Sequence, residues 1–157
     1  MATRPRTPSP APLEAHLGFW LRFVSNHVSM RFRQRLEEKG VTVTEWVALR
    51  TLWARPDGSH ADLIQALGLT KGAASKVVSR LEEKGLVERQ LAEGRGARDQ
   101  AVVLTSAGQA LVPQLAKLAD ANDEHFFRHL PAAERQALMN AMQALVRHHQ
   151  LKELPTA

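Results

Sequence analysis

Apolar residues recur at steps of three and four along residues 17–36, where Leu17, Trp20, Leu21, Val24, Val28, Phe32 and Leu36 form one stripe. That spacing predicts a long helix, beginning where the apolar pattern starts at Leu13 and ending at Gly40 after Lys39. Phe19 and Phe23 widen the stripe beyond one face, which calls for a second apolar partner such as another subunit. Thr44 is placed to cap a helix from Glu45 to about Arg55, with Trp46, Val47, Leu49 and Leu52 inside. Pro56-Asp57-Gly58 reads as a turn. His60 to Leu67 forms a short helix closed by Gly68, and Thr70 opens another that runs to Lys84, where Gly85 stops it. Leu86 to Leu91 and Ala101 to Leu104 are strand-like runs joined by the glycine-bearing segment 92–97, a β-hairpin pattern. Thr105 caps the next helix, which continues to about Arg128 and is expected to kink near Gln109 because of Pro113. Leu130-Pro131 starts a last helix, striped by Leu138, Met139, Met142, Leu145 and Val146 and ending about Gln150.

The resulting order is four helices, a hairpin and two helices. The fold class is mostly α with a small β-hairpin wing, and its centre is a winged helix-turn-helix. Residues 1–12, with four prolines, carry no apolar period and are expected to be a disordered tail.

Composition narrows the function. The chain has 157 residues, is 44% hydrophobic and 24% charged, and contains no cysteine. One domain, or two small ones, is expected. The missing cysteines exclude disulfide scaffolds, thiolate zinc sites and thiol redox chemistry. No apolar run approaches the length needed to span a bilayer, and the first arginines precede no apolar signal core, so a cytoplasmic protein without membrane partners is expected. The formal charge is +5. Residues 1–40 carry seven Lys or Arg against three Glu, so the second part of the chain holds almost no net excess. A basic balance suits a polyanion, but the cations must be clustered to matter.

Residues 70–84 supply that clustering. Ala73, Ala74, Val77, Val78 and Leu81 fall on one helical face; Lys71, Gly72, Ser75, Lys76, Ser79 and Arg80 fall on the other. A face of small hydroxyls, glycine and cations fits a major groove about 12 Å wide. Thr70, Lys71 and Gly72 open the helix, whose N-terminus favours phosphate. Lys71 and Lys76 suit phosphates, whereas Ser75, Ser79 and Arg80 suit base edges. A solvated amphipathic helix would show the same face in isolation; the preceding helix, the tight turn at Gly68-Leu69 and the following hairpin distinguish the two. Arg95 and Arg98 lie in the hairpin loop, where an arginine tip suits a minor groove about 6 Å wide.

The segments DLIQALGLTKGAASKVVSRLEEKGLVER, residues 62–89, and VVLTSAGQAL, residues 102–111, resemble the MarR family of bacterial transcriptional regulators. The resemblance extends to the opening LGFWLRFVSNHVS, residues 17–29. It implies an obligate homodimer that presents two winged helices to a pseudo-palindromic duplex operator, most simply as a repressor. It also implies a division of labour: residues 13–40 and 106–150 for dimerisation, and 41–105 for DNA. Ser75, Lys76, Ser79 and Arg80 fall on the family's recognition helix and Arg98 on its wing-tip arginine. Gly96 replaces the acid often found two positions before that arginine.

The family resemblance further implies a pocket for a small aromatic or amphipathic anion between the two regions. Trp20, His27, Arg31 and Trp46 are the candidates, as aromatic walls with cations, although both tryptophans also fit core positions. Val47 follows Trp46 where urate-responsive members carry an acid, which argues against that ligand. His125 and His129, four apart on a helix, and His148-His149 read as surface histidines, so no metal or cofactor is expected. GxGxxG, GxxxxGK[ST], GxSxG and HExxH are all absent, so no enzyme is expected. The competing class is a winged-helix module that binds ligand or protein without an operator. Such a module has no use for Lys71, Lys76 and Arg80 on one face.

Overall fold

A computed structural model describes residues 9–90 and 100–152. A short 3₁₀ turn at Leu13–Ala15 leads into α1, Leu17–Glu37. Then come α2 (Val43–Ala54), α3 (His60–Leu67) and α4 (Lys71–Glu83). Strands β1 (Val87–Gln90) and β2 (Ala101–Leu104) follow, then α5 (Ser106–Phe127) and α6 (Ala132–His148). This is the expected order, mostly helical with one hairpin. The tail expected over residues 1–12 falls largely outside the described residues.

Side-chain caps set the helix starts. Helix α2 begins two residues earlier than expected, because Thr42 and not Thr44 is its cap: the Thr42 hydroxyl accepts from the Glu45 amide at 3.1 Å, and Glu45 Oε2 accepts from the Thr42 amide at 3.0 Å. The capping box needs its acid three residues on, a spacing that Thr42 has to Glu45 and Thr44 lacks. Ser59 and Asp62 repeat the device at α3. Gly68 ends α3 at φ 62°, the left-handed conformation glycine adopts most cheaply, and Thr70 caps α4 through the Ala73 amide. Helix α5 is continuous through Pro113.

The wing is antiparallel, with Val87 opposite Leu104, Arg89 opposite Val102 and Gln90 opposite Ala101. It is tied to α3 by Val102 N–H donating to Gly58 O at 3.1 Å and His60 N–H donating to Gln100 O at 3.2 Å. Gly108 lies buried where α5 crosses the root of β1: a Cβ there would sit 2.2 Å from Leu86 O, so only glycine allows this approach.

Leu49, Leu63, Leu81, Val78 and Val102 are fully buried in one core shared by α2, α3, α4 and the wing, which Leu36 from α1 and Leu115 from α5 complete. Outside this core the picture reverses. Leu36 is the only buried residue of α1, and every residue of α6 is exposed. Among the described residues, no helix is long and apolar enough to cross a membrane.

Candidate nucleic-acid interface and effector cleft

The apolar face of α4 is fixed by the core: Ala74, Val77, Val78 and Leu81 are buried. That leaves Thr70, Lys71, Gly72, Lys76 and Arg80 exposed. A Cβ on Gly72 would meet nothing within 4 Å, so the fold itself does not require glycine at this position. What a side chain there would obstruct is whatever approaches from outside. Lys71 and Gly72 form the first turn of the helix, whose N-terminus carries partial positive charge.

Ser75 and Ser79 are not fully open. They lie at the edge of the face beside β1, under the guanidinium of Arg89. Arg89 Nη2 donates to Ser75 O at 3.2 Å, to Ser75 Oγ at 3.3 Å and to Ser79 Oγ at 3.2 Å. Its Nη1 pairs with Glu82, which also accepts from the Arg89 amide. The sequence reading overlooked Arg89. Strand alternation held the signal: Arg89 lies two residues after buried Val87 and so shares its side, toward α4. Arg89 and Lys71 also act on His60 at the start of α3. Burial, and then these two cations, hold the His60 imidazole below its ordinary value. Arg95 and Arg98, the expected wing-tip arginines, lie outside the described residues.

The far end of α4 is anchored to the α1–α2 junction. Lys84 Nζ reaches 2.7 Å to Glu45 Oε2 and 2.7 Å to Gly40 O. Glu45 is buried, with 2% of its surface exposed, and meanwhile caps α2. One carboxylate therefore joins the end of the candidate recognition helix to the α1–α2 junction.

The quartet expected to line an effector pocket does not assemble. Trp46 lines a cleft of about 1300 Å³ between α1, α2 and α3, but Trp20, His27 and Arg31 do not. The Trp20 indole donates to Glu14 O at 2.9 Å, and His27 stacks on Phe23 with ring centroids 4.8 Å apart. Arg31 donates to Asn122 Oδ1 at 3.1 Å, across to α5, and lines a separate depression with His125, Arg128 and His129. The reason is helical phase. Positions 20, 27 and 31 are separated by whole turns and share a face of α1, whereas the cleft is reached from Asn26, Met30 and Arg33. The walls of the cleft are Met30, Phe32 and Trp46, the last two packed edge to face at 6.2 Å. Arg33, Arg50 and Arg55 are its cations. Arg33 faces Glu37 and Arg55 faces Asp62; among the described residues, Arg50 has no carboxylate partner. No group of three or more potential metal ligands occurs among the described residues.

Comparison with known proteins agrees with this geometry. Residues 41–93, which take in α2, α3, α4 and β1, match the MarR family. An HTH-type transcriptional repressor of Mycobacterium tuberculosis is 28% identical over 132 residues, covering 84% of this chain and 94% of the repressor. BpsR of Bordetella bronchiseptica, whose DNA binding is regulated by 6-hydroxynicotinic acid, has the same fold: TM-score 0.74 at 23% identity, over 87% of this chain and 97% of that one. CouR of Rhodococcus jostii, solved with p-coumaroyl-CoA, superposes with TM-score 0.73 at 23% identity, over 87% and 95% of the two chains. With a recognition helix open at Gly72 and a wing at its side, the chain has the winged helix-turn-helix fold and matches the MarR family of transcriptional regulators over residues 41–93.

Proposed function

We propose that this protein is a cytoplasmic homodimeric repressor that grips a pseudo-palindromic operator and releases it on binding a small aromatic or amphipathic anion. The observation that carries the DNA reading is the exposed face of α4, where Lys71, Gly72, Lys76 and Arg80 stand clear of the core. Two such helices bind successive major grooves when half-sites lie about one helical turn apart. Dimerisation is supported by α1 and α6, whose apolar stripes are left open among the described residues: Trp20, Leu21 and Phe23 on α1 and Leu138, Leu145 and Val146 on α6 are each about half exposed. Residues 13–40 and 106–150 would then hold the dimer, and residues 41–105, with Arg95 and Arg98 of the hairpin loop expected from the sequence, would hold DNA.

The effector site we assign is the cleft of Phe32, Trp46 and Arg50, with aromatic walls and a cation suited to a carboxylate. An anion there acts by preferring a dimer whose recognition helices are misspaced for the operator. The experiment is selection of bound duplexes from a random pool, with and without aromatic acids. A palindromic consensus that weakens with an aromatic acid is the expected result; enrichment no better than that of an unrelated basic protein refutes the reading. On the selected operator, Lys76→Ala should flatten the dependence of log affinity on log salt by about one. Arg80→Ala should cost about 1–3 kcal/mol and relax one base position.

A further inference from the structure

We infer that the depression between α1 and α5, where Arg31 meets His125, Arg128 and His129, is a second ligand site, separate from the aromatic cleft, and that it takes a phosphoryl group. The inference goes beyond the readings of the cleft and of α4 and depends on neither.

The site is built around a charge without a counter-charge. Arg31 is partly buried and donates through Nη1 to Asn122 Oδ1 at 3.1 Å. Asn122 is buried, with 3% of its surface exposed, and its own amide nitrogen donates to Val28 O at 3.1 Å. Only one orientation of that amide satisfies both ends: the nitrogen needs the Val28 carbonyl, and the oxygen is left for the guanidinium. This bracket fixes Arg31 in place without neutralising it. One of the five guanidinium donors is used, and the described residues offer neither an acceptor for the others nor a carboxylate partner. A charge taken partly out of water is costly until an opposite charge meets it.

The remaining groups of the depression are mostly donors. His125 in the last turn of α5, with Arg128 and His129 just past it, lines the same space of about 710 Å³ as Arg31. Glu124 is the one acid among the described lining residues; it faces Arg128 at 4.0 Å with both side chains well exposed, so that pair is weak and leaves Arg128 able to turn inward. Two guanidinium groups repel a metal ion, which removes a metal reading of the histidine pair. A planar carboxylate is met by a single guanidinium fork. Here the donors come from two helices, and even a neutral imidazole supplies one N–H. Donors that converge from different directions suit the oxygens of a phosphoryl group, which carries about −1.5 to −2 charge and three strong acceptors at neutral pH.

The test is calorimetric titration of the full chain with sodium phosphate at fixed pH and ionic strength, with sodium chloride as the control titrant. Wild type should take up one phosphate per subunit with a dissociation constant of about 1 mM or tighter, while chloride gives no saturable heat. Arg31→Gln should weaken uptake about tenfold or more, the scale of one charge-assisted hydrogen bond, and Arg128→Gln and His129→Ala about fivefold each. Arg50→Gln, which alters the aromatic cleft, should change nothing. Absence of saturable uptake by wild type overturns the inference, and so does uptake that Arg31→Gln leaves at full strength. Loss with Arg50→Gln but not with Arg31→Gln puts the anion in the cleft and overturns it as well. Arg128 and His129 are exposed and outside the core, so their variants decide the matter if Arg31→Gln fails to fold: wild-type affinity in both sinks the site.

Discussion

Leu49, Leu63, Leu81 and Val102 in the winged lobe are fully buried, whereas Leu138, Met139, Met142, Leu145 and Val146 on α6 each leave 38% to 48% of their surface in water. Both sets are apolar at regular spacing, and they differ in what stands opposite. In the lobe, α2, α3, α4 and the wing cover one another, and the polar groups between them are paired, as Glu45 is with Lys84. On α1 and α6 the stripe faces outward. A helix of 17 residues is marginal alone in water, and among the described residues every residue of α6 stays exposed. The lobe thus covers its apolar surface, with Leu36 and Leu115 closing the core, whereas among the described residues the stripes of α1 and α6 stay open.

The sharpest break in that comparison comes from charging α6. Met142→Asp with Leu145→Asp should weaken self-association by about a hundredfold or more, because a dimer would bury two unpaired carboxylates per subunit. Sedimentation at micromolar concentration should then report a single subunit. A variant that stays dimeric would move the interface elsewhere. In the lobe the response differs: Leu81→Ala should lower the free energy of unfolding by about 2–5 kcal/mol through cavity formation, read from denaturant titration.

The tie between α4 and α2 inside the lobe is next in size. Lys84→Ala leaves the buried Glu45 carboxylate with one fewer donor and should cost about 1–3 kcal/mol in the same titration. Lys84→Arg, which restores a donor, should recover part of it. The loss should appear in operator affinity as well, because Lys84 joins the end of α4 to Gly40 and Glu45 beside α2. Equal stability with and without Lys84 would mean that this carboxylate does not hold α4 to α2. Smaller again is the α2 cap: Thr42→Ala should cost about 1 kcal/mol and Thr44→Ala much less, since only Thr42 completes the box with Glu45.

The same contrast decides what was legible in the sequence. Apolar period, caps and glycines are local signals, and they predicted the winged lobe element by element, with Gly68 and Gly85 in left-handed backbone where the helices end. The slip at Thr44 was local too: the correct spacing lay two residues earlier. What local pattern could not supply was the direction in which a helix presents each face. Trp20, His27 and Arg31 have the right chemistry for an anion pocket, but only the packing of α1 against α5 shows that Arg31 turns to Asn122 and leaves the cleft to Met30 and Arg33. Arg89 was hidden for a related reason. A charged residue in a strand reads as solvent-facing until the helix beneath it is seen to offer Glu82, Ser75 and Ser79 as acceptors.

The smallest effect comes from the one histidine at the seam between lobe and wing. His60 sits at the first turn of α3, with its amide bonded to Gln100 O, and Lys71 and Arg89 are the cations nearest in effect. Burial and both charges disfavour the imidazolium, so the folded protein takes up a proton here at lower pH than the unfolded chain, whose histidine titrates near the ordinary 6.5. Between those two values the unfolded chain binds more protons, and stability therefore rises with pH. The full stability contribution is present above pH 6.5 and is lost as the pH falls through that value toward the lower, folded one. Melting temperatures from pH 8 down to 5 should show a decline that His60→Gln flattens. A His60→Gln profile parallel to that of the wild type would mean that burial and the paired cations at this seam do not reach the imidazole strongly enough to couple its proton to folding.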